Sequence, residues 1–236
     1  QFTRFFHSMN FERLVRNTFL ISFYDLLFGF PVPVLFALLL NEVKNTKFKK
    51  VTQTITYMPH FISLVVICGL IYTFTKSNSP LAQLVAAFTG NKAENLLSNA
   101  KYFRTIYVVS GIWQGFGWGS IIYFAALSGV DPTLYEASYL DGAGRFQQAI
   151  HVTLPSIAPT IIIMLILRIG SLMSVGHEKI ILLYSPITYK TSDVIASYVY
   201  RSGLREMNFS YGTAVGLFNS VINLVLVLGA NWISRR

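Results

Sequence analysis

The chain has 236 residues, 53% of them hydrophobic and only 12% charged, with a formal net charge of +9 and a mean hydropathy of +0.51. Soluble domains carry roughly 25% charged residues, so the balance argues against a soluble globular fold and for a membrane protein. Lysine and arginine fall mostly between apolar runs, which suits lipid phosphates better than a nucleic-acid surface.

About 20 apolar residues in a helix cross the hydrocarbon core, and five segments qualify: 17–40, 51–75, 105–130, 155–176 and 211–233. Helices are expected, because lipid offers no partner to an open backbone group and the runs lack the alternation of a membrane barrel. Pro31 and Pro33 interrupt the first segment, Pro59 enters the second and Pro159 kinks the fourth. Cys68, the one cysteine, lies inside the second and reads as a small buried hydrophobe. The third carries Gly111, Gly115, Gly117 and Gly119, a spacing that lets helix backbones approach closely.

Five spans put the two ends on opposite sides. With 41–50, 131–154 and the C-terminus inside, seven basic residues face the cytoplasm and eleven face out. The count runs against the positive-inside rule, and the orientation rests on the shorter inside loops and on "NEVKNTKFKK", the densest basic cluster. The outer linker 76–104 is polar, and 177–209 is rich in tyrosine (Tyr184, Tyr189, Tyr198, Tyr200).

Between the third and fourth spans lies "DPTLYEASYLDGAGRFQQAIHVTLP". Asp131 suits an N-cap and Pro132 a first helical position. A helix from Pro132 to about Asp141 should end at Gly142, which can take the left-handed conformation. A second short helix over 145–152 should stop at Leu154 and Pro155. The first helix places Glu136, Tyr139 and Leu140 on one face. It is too short and polar to span, and it lacks the basic face of a lipid-binding helix. Docking into another protein is the better reading.

Glu136, Ala137 and Ser138, then Gly142, then Val152-Thr153-Leu154-Pro155 resemble the EAA loop of binding-protein-dependent ABC importer permeases. The spacing matches, with Ser138 for the second alanine and Val152 for an isoleucine. "NTFLISFYDLLFGFPVPVLFALLLNEVK", "TYMPHFIS" and "YGTAVGLFNSVINLVLVL" extend the likeness over essentially the whole chain, toward the sugar-importer branch and its LplB-type permeases for complex saccharides. The resemblance implies an all-α, type I importer transmembrane domain, with five of six core helices in this chain and the N-terminal span outside it. It implies that 131–154, through Glu136, Ala137, Ser138, Tyr139, Leu140, Gly142, Leu154 and Pro155, is the cytoplasmic coupling loop seated in an ATPase subunit. The partners it implies are a second homologous permease, the ATPase subunits, an extracytoplasmic substrate-binding protein and a saccharide, in a bacterial cell membrane. ATP and Mg would sit on the ATPase, with no cofactor in this chain.

Sugars are held by aromatic faces and hydrogen-bonding groups, so Tyr57, His60, Trp113, Gln114, Trp118 and Tyr123 are candidates for the pathway, against ordinary packing or an interfacial belt. Asp25 and Arg168 are charges within spans and default to a functional hypothesis. Each lies eight residues from its span's outer end, about 12 Å at 1.5 Å per residue, and they should face protein or water, as a pair or separately. His177 and Glu178 sit at the outer rim as gate candidates. The sequence holds no G-x-x-x-x-G-K-[ST] loop, no metal-ligand spacing and no catalytic constellation. A secondary transporter or channel, and a membrane scaffold, are the competing classes. The coupling loop discriminates among them, since only an ATP-driven permease needs a docking piece.

Overall fold

The computed structural model describes residues 1–90 and 92–234, and every regular element among them is helical. A short α1 (Phe2–Phe6) leads into α2 (Phe11–Asn41), followed by α3 (Thr46–Phe61), α4 (Leu64–Thr75), α5 (Pro80–Thr89), α6 (Ala100–Gly119) and α7 (Ile121–Ser128). The polar stretch supplies α8 (Pro132–Leu140), and α9 (Arg145–Gly170) returns through the fold. The tyrosine-rich linker holds α10 (His177–Leu183), α11 (Tyr189–Ser192) and α12 (Ile195–Val199), and α13 (Phe209–Ser234) follows it. Arg235 and Arg236, the expected terminal basic flank, lie outside the described residues.

By length and composition, α2, α9 and α13 can each cross a membrane; α3 and α4 make a fourth span if their bent pair counts as one. Two of the expected spans are broken. Segment 51–75 is no straight rod, because α3 and α4 meet at 97°. Pro59 stays inside α3, but it brings no N–H, so the turn before the break is already short of a bond. Ser63 then starts a new helix by accepting the amide of Val66 at 3.4 Å. Segment 105–130 divides at the buried Ser120 into α6 and α7 and is not among the helices apolar enough to span alone. Its glycines lower its hydropathy in exchange for contact. A Cβ on Gly117 would lie 2.2 Å from the carbonyl oxygen of Thr56, so α6 and α3 touch backbone to backbone there.

The prolines act more gently than expected. Pro31 and Pro33 do not interrupt α2, and Leu154 and Pro155 do not end a helix; α9 starts ten residues earlier and runs through them. In both cases a wide π turn lies just upstream, Asp25–Gly29 before Pro31 and Ala149–Thr153 before Pro155. A proline ring collides with the carbonyl four residues back and donates nothing to it. A one-residue widening at that point moves the carbonyl aside, and the helix continues. The fourth span ends at Gly170 rather than near residue 176.

Three apolar clusters hold the helices together. One joins Ile21, Cys68, Phe103, Ile180 and Val194, another Phe5, Leu14, Ile195, Tyr211 and Val215, and a third Val34, Ala37, Tyr123, Leu127 and Ile157. The outward faces of the long helices stay apolar, with Leu39, Leu167, Val225 and Leu228 exposed. A helix that is apolar all round is one made for lipid or for a partner helix.

A polar latch closes one end. The fully buried Asp193 carboxylate accepts hydrogen bonds from Arg201 at 2.9 Å, Ser197 at 2.9 Å and Arg13 at 3.3 Å. Its backbone carbonyl accepts from the Asn17 amide at 2.9 Å, and Asn17 in turn accepts from Arg104 at 2.7 Å. Burial disfavours the Arg201 charge, but the bonds and charge of Asp193 more than offset this and raise its pKa above the ordinary arginine value. The latch gathers the start of α2, the start of α6 and the tyrosine-rich linker, which the topology reading places on one side. At the opposite end the Lys49 ammonium lies 5.9 Å from the Phe124 ring, joining the basic loop region to α7.

Candidate functional site

The polar loop is built from its caps inward. Asp131 accepts the amide of Thr133 at 2.9 Å and starts α8. That bond, with the Thr133 side chain, holds the Asp131 carboxyl below its ordinary pKa. At the other end the amides of Gly142 and Ala143 donate to Tyr139 and Ser138 carbonyls at 3.0 and 2.9 Å. Closing the turn this way needs Gly142 at φ +81°, which only glycine takes without strain. The Gly144 amide then donates to Gln147 Oε1 at 2.8 Å, and α9 begins.

The two faces of α8 differ. Inward, the Tyr135 hydroxyl meets Thr153 Oγ1 at 3.0 Å, and Gln148 Nε2 donates to Ser138 Oγ at 3.1 Å. Outward, Glu136 and Ala137 are exposed, Tyr139 is 75% exposed and Leu140 85%. Among the described residues Glu136 takes part in no ion pair. Leu154 and Pro155 lie within α9, also exposed, and continue it rather than close the loop. α9 is one 26-residue helix, about 39 Å long, and Tyr135 and Ser138 tie α8 directly to its first turns. Ser138, a mild departure from the alanine of the pattern, is the acceptor that makes this link. Tyr135 and Gln148 escaped the sequence reading, and Thr153 entered it only as part of the motif, although each is a polar side chain facing back across a short helix pair.

Within the helices, Arg168 on α9 donates to Asp25 at the head of the π turn of α2. The pair borders two cavities. The larger, about 350 Å³, is a cleft lined by Ser22, Tyr107, Gln114, Ser171, Ser174 and Lys179. The smaller, about 200 Å³, is lined by Gly29, Pro33, Phe116, Tyr123 and Met164. Both also share Gly111 and Gly115 of α6, whose missing side chains leave the room.

The aromatic candidates do not share one cavity. His60 stacks on Trp118 with ring centroids 4.7 Å apart and planes 1° apart, and Phe61 meets Trp118 edge-on at 5.4 Å; all three are exposed. Tyr57, one turn before His60, lies beside Ser120 and Gln53. Gln114 lines the larger cleft, while its neighbour Trp113 turns the other way into an apolar groove with Ile67, Leu70, Phe74 and Val85. Adjacent residues on a helix point about 100° apart, which separates them. Tyr123 is buried in the core and borders only the smaller cavity. His177 and Glu178 are exposed, with His177 stacked near Tyr200 at 6.1 Å, and neither lines the cleft. The next residue, Lys179, does. Its ammonium donates to the Tyr107 carbonyl at 3.0 Å and sits 4.8 Å from the centroid of the Tyr107 ring.

Comparison with known proteins places these features. The family described as "Binding-protein-dependent transport system inner membrane component" matches residues 8–236. Protein LplB of Bacillus subtilis (strain 168) is 42% identical over 236 residues, all of this chain and 74% of LplB. The polygalacturonan/rhamnogalacturonan transport system permease protein YteP of the same organism is 41% identical over 235 residues, 100% of this chain and 73% of YteP. A crystal structure of a bacterial ABC transporter involved in the import of the acidic polysaccharide alginate matches with a TM-score of 0.93 at 45% identity, covering 100% of this chain and 82% of that one. A second structure, of a bacterial alginate ABC transporter in complex with an alginate pentasaccharide-bound periplasmic protein, matches equally well. An all-helical chain with apolar spans, a family match over nearly its full length and this structural likeness have one reading: the chain belongs to the binding-protein-dependent transport system inner membrane components, as a multi-pass permease subunit of an ABC importer and not an enzyme.

Proposed function

We propose that this chain conducts an oligosaccharide or complex saccharide, and that α8 is the seat through which ATPase subunits drive it. The observation that carries the coupling reading is the two-faced α8: Glu136, Tyr139 and Leu140 stand free on one side, while Tyr135 and Ser138 are bonded to a continuous α9 on the other. A short helix with a free apolar and acidic face, fixed to a long rod, is built to receive force. ATP and Mg belong to the partner ATPases, Glu136 meets a basic residue there, and a second homologous permease completes the pathway. A substrate-binding protein delivers the cargo. The saccharide reading is supported by the relatives, one named for polygalacturonan and rhamnogalacturonan and one described as importing alginate. It is supported too by the exposed His60 and Trp118 stack, a flat face of the kind sugars favour.

The test is purification of the tagged full-length chain from its own membrane in mild detergent, with a Glu136→Ala, Gly142→Asp variant alongside. Co-purification of an ATPase and a second permease with the parent, and loss of the ATPase from the variant, is the expected result. A chain that keeps the same company with the loop broken would sink the coupling role of α8.

A further inference from the structure

The larger cleft carries an imbalance of charge. Arg168 and Asp25 neutralise one another. Lys179 makes no ion pair: its residue is only 7% exposed, no carboxylate lies within ion-pair distance of it among the described residues, and its charge is answered only by the more distant Asp25 and by the Tyr107 ring 4.8 Å away. An ammonium has three donors, and the Tyr107 carbonyl takes one. Gly111 keeps the space beside it clear, since a Cβ there would lie 3.4 Å from Nζ. Burying a cation without an anion is costly, and a protein that needed only a tie to a backbone carbonyl could make it with a neutral donor. Around this cation the cleft offers Gln114, Ser171 and Ser174, which suit hydroxyls. At about 350 Å³ it falls within the range of small-ligand sites.

We propose that this cleft is a subsite for the carboxylate of an acidic sugar residue, and that Lys179 is the side chain that selects it. Lys179 supplies the counter-charge and the free N–H groups. Arg168, paired with Asp25, borders the same cleft. The His60 and Trp118 stack lies apart from this cleft and offers aromatic surface instead. A subsite of this kind rests on the saccharide reading above and narrows its substrate class to oligosaccharides bearing uronate groups.

The experiment uses the complete transporter, with its ATPases, partner permease and binding protein, in proteoliposomes. Uptake is measured for short oligogalacturonates and alginate oligomers, each paired with its carboxyl-reduced neutral counterpart. The parent is expected to prefer the acidic member, and Lys179→Gln to lower the acidic-to-neutral uptake ratio about tenfold or more, the loss of one charge-assisted hydrogen bond. Lys179→Arg should retain most of the ratio. A ratio does not depend on how much protein folds, so a poorly assembled variant still gives an answer. Saccharide import with the ratio unchanged in Lys179→Gln, or with no acidic preference in the parent, overturns the Lys179 assignment and leaves the saccharide permease standing. Import of none of these sugars overturns the saccharide reading for the pair, and this subsite with it.

Discussion

The latch around Asp193 and the loop around Glu136 are both short polar passages set between apolar spans, and they are put to opposite uses. Asp193 has none of its surface exposed, and its carboxylate is answered by two arginines and a serine of the same chain. Glu136 is exposed and answered by no ion pair among the described residues. The difference lies in what each region must do alone. A polar group that is buried has to be satisfied internally, because its desolvation is otherwise uncompensated. A polar face meant for another protein keeps its own backbone capped and leaves its side chains open. The first region fixes the arrangement of α2, α6 and the linker, and the second leaves its outer face open.

Breaking the latch should have the largest effect. Asp193→Ala strands Arg201 and Arg13 beside a buried site and should cost about 3–5 kcal/mol, visible as a lower melting temperature of the detergent-solubilised complex. An unchanged melting temperature would mean that the latch is not the lock described here. The link between loop and rod comes next. Gln148→Ala removes the donor to Ser138 and should cost about 1 kcal/mol; it should also loosen the coupling of ATP hydrolysis to transport, measured as futile ATPase activity in proteoliposomes. Full coupling in that variant would show that α8 moves α9 by another route.

On the outward face the prediction reverses. Tyr139→Ala with Leu140→Ala removes only exposed surface, so stability should stay within about 0.5 kcal/mol while the ATPase no longer co-purifies. If the melting temperature falls as it does for Asp193→Ala, α8 packs inside the chain after all. The smallest effect belongs to Asp131. Its carboxyl is held below its ordinary pKa by Thr133, so capping is fully present above the usual carboxylate value of about 4 and fades only as pH falls through the depressed one. Hydrogen-exchange protection of α8, corrected for the intrinsic pH dependence, should hold down to about pH 4 and drop below it. Asp131→Asn, with an oxygen that caps without titrating, should flatten the curve.

Much of this protein was legible from residue order because its signals are local. Apolar runs mark helices wherever lipid or a partner helix is the solvent, and Asp131, Pro132 and Gly142 set the ends of α8 within a few bonds of themselves. That Glu136, Tyr139 and Leu140 share one face follows from helical spacing alone; that the face is open comes from the structure. What only the tertiary structure decided depends on groups far apart in the chain. Pro155 reads as a stop, yet the π turn before it absorbs the misfit and makes α9 a single rod. Segment 51–75 reads as one span, yet Ser63 restarts it at 97°. Trp113 and Gln114 are both candidates for one pathway, and the helix turns them to different cavities. Lys179, Asp193 and Asn17 drew no notice in the sequence, because each takes its meaning from a partner dozens of residues away: Tyr107 for Lys179, Asn17 for Asp193, and Arg104 for Asn17. Periodicity and caps are properties of neighbours along the chain, whereas the balance of charge in a cleft is a property of neighbours in space.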